Sequence, residues 1–232
     1  RRMKNRLASR GVIVDLNRLS GLAGVDAKRC RLVVKAMTRH FDVANNADVQ
    51  AALPGLAGLA ANIGDPAVRH RGTIGGSVAN NDPAADYPAA CLALEASIVT
   101  DRRTIPAEAY FTGLFSTALE DGEIITAVSF PTGAKFAYAK FPNPASRYAA
   151  VGVGVARRGK AIRVAVTGAG ENGVFRWTRA EEALAEKFSA KALEGLSHPA
   201  EGLIGDIHAT PEYRGHLIGV MARRAMAALA AR

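Results

Sequence analysis

Short apolar runs, rich in valine, isoleucine and leucine, recur along the chain between glycine, proline and asparagine breaks. Two such runs, 12–16 and 31–36, predict strands, because branched side chains favour extended backbone. Thr38, two residues ahead of His40, is the predicted N-cap of a short helix. A longer helix is predicted over 48–63, beginning or kinking where Pro54 and Gly55 fall inside it. Further on, the pattern predicts a helix over 88–96 and strands over 98–100, 123–130 and 135–141. Strands over 150–157 and 161–167 flank Arg158-Gly159-Lys160, a hairpin turn. Helices are predicted over 179–188 and 211–231. In the last of these, Leu217, Met221, Ala225 and Leu229 recur at helical spacing and form a core-packing stripe, leaving Arg214, Arg223 and Arg224 for the surface. Pro131-Thr132-Gly133 is the expected boundary between two domains, 1–131 and 132–232.

One segment breaks this pattern. Residues 71–88 place Gly75-Gly76, Thr73, Ser77, Asp82 and Asp86 in a stretch too irregular for a simple helix or strand, which reads as a ligand-holding loop. Glycines permit positive φ and close approach of backbone N–H groups to an anion. The Thr73 and Ser77 hydroxyls can donate to phosphate oxygens, and a short helix starting after the glycines would add unpaired N–H groups. The spacing matches neither the Walker lysine loop nor the three-glycine dinucleotide turn. By itself a glycine pair is more often an ordinary turn.

The words Ile63-Gly64-Asp65-Pro66-Ala67-Val68-Arg69-His70-Arg71, Thr73-Ile74-Gly75-Gly76-Ser77 and Asp82-Pro83-Ala84-Ala85-Asp86-Tyr87 resemble the second FAD-binding segment of the flavoprotein (medium) subunits of molybdenum hydroxylases, the xanthine dehydrogenase and aerobic carbon monoxide dehydrogenase family. The resemblance extends to Ala36-Met37-Thr38-Arg39-His40, Gly122-Glu123-Ile124-Ile125-Thr126, Lys140-Phe141 and Glu212-Tyr213-Arg214-Gly215-His216-Leu217, so it covers essentially the whole chain. It implies an α+β fold: a vanillyl-alcohol-oxidase-type FAD-binding domain, N-terminally incomplete, and then a small domain of three antiparallel strands plus helices. It also implies that Thr73, Ile74, Gly75, Gly76 and Ser77 hold the FAD pyrophosphate and that Asp86 meets the ribose. Asp86 reads equally as a helix N-cap ahead of Tyr87-Pro88. Ile63 and Ile125 would be apolar flavin contacts and Lys140 a polar neighbour of the ring.

The implied activity is electron transfer in an oxidoreductase complex: FAD here would receive electrons from iron-sulfur clusters and pass them to an external acceptor. The clusters and the molybdenum cofactor would sit on partners, a small iron-sulfur subunit and a large molybdenum subunit, assembled as a dimer of heterotrimers. No catalytic side chain is required of this chain, and no metal is assigned to it, since its five histidines show no metal-site spacing. The family also carries a first pyrophosphate loop, Ala-Gly-Gly-x-Ser, ahead of the residues matching Met3-Lys4-Asn5-Arg6-Leu7. The expectation is that these residues belong to a longer protein; the alternative is a cofactor-free structural subunit of such a complex.

Composition adds bounds. With 49% hydrophobic residues in 232, the chain can bury a substantial core. Net charge is +9, and the excess lies late: 15 Lys and Arg against 13 Asp and Glu up to residue 131, then 15 against 8. The basic residues are scattered rather than interleaved with aromatics, so a docking or solvated surface is favoured over nucleic-acid binding. Cys30 and Cys91 form no metal or cluster motif and read as small buried hydrophobes, with a reduced, cytoplasmic setting as the default. No transmembrane segment and no secretory signal is read from the sequence, and association with the inner face of the membrane is left open.

Overall fold

A computed structural model describes residues 11–230, so the basic start, the expected position of the first loop and the last residue of the 211–231 helix lie outside the described residues. The strand predicted over 12–16 does not form. Val12, Ile13 and Val14 are exposed and find no neighbouring strand among the described residues, and the segment closes in a 3-10 turn, Leu16–Arg18, capped by Asp15. Branched residues favour a strand only where a sheet receives them.

The hairpin of β1 (Val25–Lys28) and β2 (Arg31–Lys35) comes next, and Cys30 lies exposed in its turn instead of buried. Helices α1 (His40–Asn45), α2 (Ala47–Ala52) and α3 (Pro54–Ala61) follow. Thr38 does not cap α1: Arg39 holds the N-cap position without a side-chain bond, while Thr38 Oγ1 exchanges hydrogen bonds with the N–H and C=O of Gly24 at 3.0 and 2.9 Å. Proline disfavours the helical region for its predecessor, so Leu53 turns out at φ −143° and ends α2 before α3 begins. Next come α4 (Pro66–Arg69), α5 (Ile74–Asn80) and α6 (Tyr87–Ala93), then β3 (Ser97–Thr100), β4 (Thr104–Pro106), α7 (Ala107–Tyr110) and a small hairpin of β5 (Phe111–Gly113) and β6 (Ser116–Thr117). Strand β7 (Ile125–Pro131) leads into β8 (Lys135–Pro142), β9 (Ala149–Arg158), β10 (Ala161–Thr167) and β11 (Phe175–Arg176). Helix α8 (Thr178–Glu186) and the long α9 (Pro211–Ala230) complete the described chain.

Two antiparallel sheets organise the molecule. The first has the order β1-β2-β7-β3-β4, and the second β11-β10-β9-β8, with four strands where three were expected. The extra strand is only two residues long, below what periodicity can reveal. In the second sheet, side chains alternate between two cores. Phe136, Ala156 and Ala165 join the core with α3 and α6, while Ala137, Val155, Val164 and Val166 join the core with α8 and α9. The apolar stripe of α9 is buried there as expected. Arg214 is not on the surface: it is 3% exposed, and its guanidinium binds the carbonyls of Ala150 and Gly168 and the Asp206 carboxylate.

Candidate functional site

Two separated segments build the site's wall. Residues 36–40 run antiparallel to 72–75: His40 N–H donates to Gly72 O at 2.9 Å, Ile74 N–H to Thr38 O at 3.1 Å and Gly75 N–H to Ala36 O at 2.9 Å. The glycine segment is therefore a helix start, not an irregular loop. Thr73 is the N-cap of α5, its Oγ1 accepting from Gly76 N–H at 3.2 Å. The N–H groups expected to be free for an anion already have partners, because carbonyls of 36–38 and the Thr73 cap reach them first.

The two glycines also differ in purpose. A Cβ on Gly75 would stand 2.5 Å from Ala36 Cβ, so this glycine lets α5 lie against the chain after β2. A Cβ on Gly76 would meet only Thr73 Oγ1, at 3.0 Å, and Gly76 is exposed. Neither has a positive φ; both are helical.

Gly76 opens onto a cavity of about 640 Å³, within the size range of ligand pockets. Thr73, Ser77, Ile63 and Asp86 line it together with His40, Arg71 and Arg147. Of the residues singled out from the sequence, Ile74, Gly75, Ile125 and Lys140 do not line it. Ile74 and Ile125 are core side chains, and Gly75 is packed behind the wall. The carboxylates of Asp65 and Asp82 are turned to local work, capping Val68 N–H at 2.8 Å and Ala84 N–H at 2.9 Å. That leaves hydroxyls, two guanidinium groups, the His40 ring and the Asp86 carboxylate at the wall, a set suited to a ligand bearing anionic and hydroxyl groups.

Asp86 stands at the N-cap of α6 but makes no capping bond. Its backbone is already helical there, and its carboxylate turns instead to Tyr138 Oη, which donates at 2.6 Å, and to Lys140 Nζ, which donates at 3.1 Å. A Cβ on Gly152 would collide with that tyrosine hydroxyl, so the glycine in β9 makes room for the pair. Burial pushes the Asp86 carboxyl above its usual range, opposed by the Lys140 charge and by the two hydrogen bonds. Lys140 also donates to Arg147 O at 3.0 Å, tying the 143–148 loop of the cavity mouth to the same carboxylate.

His40, Arg71, Arg147 and Tyr148 line the cavity without having been singled out as ligand residues. Only contact across the fold brings 40, 71 and 147 together. The available signal was that His40 and Arg71 each stand inside a word carrying the family resemblance.

Residues 1–133 match the family model described as the FAD binding domain in molybdopterin dehydrogenase, and residues 136–229 match the CO dehydrogenase flavoprotein C-terminal domain. The carbon monoxide dehydrogenase medium chain of Hydrogenophaga pseudoflava is 34% identical over 99% of this chain and 85% of its own length. The nicotine 6-hydroxylase medium subunit of Paenarthrobacter nicotinovorans is 32% identical over 99% of this chain and 86% of its own. Among solved structures, carbon monoxide dehydrogenase from Hydrogenophaga pseudoflava superimposes with a TM-score of 0.84 at 33% identity, covering 99% of this chain and 85% of that one. Quinoline 2-oxidoreductase from Pseudomonas putida 86 gives 0.86 at 27% identity, covering 99% and 85%. The chain belongs to the molybdopterin dehydrogenase FAD-binding family, as an oxidoreductase medium subunit of the molybdenum hydroxylase type.

Proposed function

We propose that this chain binds FAD in the cavity beside α5 and serves as the electron-transfer flavoprotein subunit of a molybdenum hydroxylase complex. The observation that carries this reading is the cavity itself, with Thr73, Gly76, Ser77 and Asp86 on one wall. The residues fit such a ligand. Thr73 and Ser77 offer hydroxyl donors, Gly76 leaves its surface bare, and Arg71 and Arg147 supply positive charge for a pyrophosphate. Ile74 and Gly75 act from behind, fixing the wall against residues 36–38.

Bound FAD would supply a carrier that takes up and releases electrons. The chain's own residues bind and orient it. The Asp86 carboxylate, held by Tyr138 and Lys140, would accept from sugar hydroxyls, and Lys140, which adjoins that carboxylate, would be the polar neighbour of the flavin ring that the family resemblance implies. Ile63 gives an apolar contact at the cavity wall, and Ile125 lies in the core behind. In this reading electrons arrive from a small iron-sulfur subunit, after substrate oxidation on a large molybdenum subunit, within a dimer of heterotrimers. The "medium" in the relatives' names supports such partners. The setting we propose is cytoplasmic; no helix among the described residues is long and apolar enough to cross a membrane.

The test is an absorbance spectrum of the gently purified native assembly. Flavin bands at one FAD per copy of this chain are expected. Their absence would favour the cofactor-free scaffold instead.

A further inference from the structure

His40 is 4% exposed, yet it lines the cavity. Its Nδ1 is buried with no hydrogen-bond partner among the described residues. The other edge of the ring lies against Gly72: a Cβ there would come within 2.5 Å of His40 Nε2 and 2.8 Å of Cδ2. Gly72 has no positive φ, so backbone conformation does not demand a glycine at this position; the ring does. Tyr87 holds the ring from its buried side, with centroids 5.4 Å apart and planes tilted by 51°. Backbone pairing of His40 N–H with Gly72 O fixes both residues next to Thr73.

A buried polar group without a partner is costly, and a leucine or phenylalanine would fill the same space without that cost. The ring is thus placed at the cavity wall at the expense of stability, beside the hydroxyls we assign to the pyrophosphate. We propose that His40 is a ligand-positioning residue, its imidazole Nε2–H donating a hydrogen bond to the pyrophosphate end of the cofactor, and that Gly72 is bare so that the ring can lie there. With the proton on Nε2, the buried Nδ1 is the acceptor and the donor lies on the ring edge against Gly72, itself a residue of the cavity wall. Burial and the nearby Arg69 lower the histidine pKa to about 4, so the ring works neutral at physiological pH. The inference rests on the FAD reading of the cavity and adds to it a donor from outside the glycine segment.

The native assembly, stripped of flavin, is titrated with FAD, ADP and riboflavin. For His40→Leu, affinity for FAD and ADP is expected to fall at least about tenfold, the size of one hydrogen bond to a charged acceptor, while riboflavin affinity is unchanged. The melting temperature of the stripped assembly should hold or rise, because the orphaned Nδ1 is gone. Gly72→Ala, which displaces the ring without removing it, should give the same selective loss, and His40→Gln, which keeps an N–H donor, should recover part of it. Unchanged FAD affinity in both His40→Leu and Gly72→Ala, or an equal loss for riboflavin, would overturn the inference. Should the leucine variant fail to assemble, Gly72→Ala decides the matter alone. If the unmodified assembly binds no FAD at all, the reading of the cavity fails and this inference goes with it.

Discussion

Lys140 Nζ lies 3.1 Å from Asp86 Oδ2, with the lysine side chain 9% exposed and the aspartate 4%. Removing one member of a buried pair strands the other charge. Lys140→Met should therefore destabilise the protein by about 3 kcal/mol, and Asp86→Asn combined with it should recover most of the loss. Denaturant unfolding of the single and double variants measures this; a fully stable Lys140→Met would show that the pair is not a structural tie.

Gly75 and Gly76 should separate fold from ligand. Gly75→Ala forces a methyl onto Ala36 and is expected to cost about 1–3 kcal/mol of stability. Gly76→Val points its branched side chain into the cavity, so flavin content should collapse with a smaller fall in melting temperature. Normal flavin loading in Gly76→Val would contradict the assignment of this wall.

Glu123 accepts from both Arg103 Nε and Nη2 at 2.9 Å, from Glu120 N–H at 2.8 Å and from Thr100 Oγ1 at 2.7 Å. With the Arg103 bonds foremost, these hold its pKa down at about 2. A depressed carboxylate pKa means stability that is fully present above the unfolded value, about 4.3, and lost as pH falls from there towards the folded value. Glu123→Gln should thus be less stable than the unmodified protein at pH 6, with the gap closing towards pH 2. A gap independent of pH in acid titrations would refute the ionic origin.

Arg214 carries a structural load that its place in an amphipathic helix conceals. Its guanidinium spans two carbonyls and the Asp206 carboxylate, a geometry that an ammonium cannot reproduce. Arg214→Lys is expected to lose about 2 kcal/mol, with the 203–209 segment opening to proteolysis first. Equal melting temperatures and equal cleavage rates would dismiss the claim.

Much of the fold was legible where the side-chain pattern is long and local. The β10 limits match the expected 161–167, β8 and β9 differ only at their ends, and the α9 stripe packs as its spacing implied. Short elements escaped: α4 and β11 are too brief to show a period, and β1 is identified by its partner β2 more than by its own residues. Two expectations failed because propensity is conditional. The 12–16 run finds no sheet to join among the described residues, and Cys30 sits in a turn between Arg29 and Arg31 although the apolar run 32–34 follows it.

The sequence alone determined the alternation that builds the second sheet and the apolar face of α9, because periodicity is written within single stretches of chain, while the segment of the candidate site was marked by its family resemblance and not by its glycines alone. Tertiary structure decided the rest. Only folding shows that Gly75 is spent on Ala36, that the first N–H groups of α5 are already taken, that Asp86 turns to Tyr138 and Lys140 instead of capping, and that His40 lies over Gly72. Apart from the Thr73 cap on Gly76 N–H, each of these is a contact between residues more than thirty positions apart. Such contacts depend on burial and on which polar group reaches a partner first, and no local pattern encodes that competition.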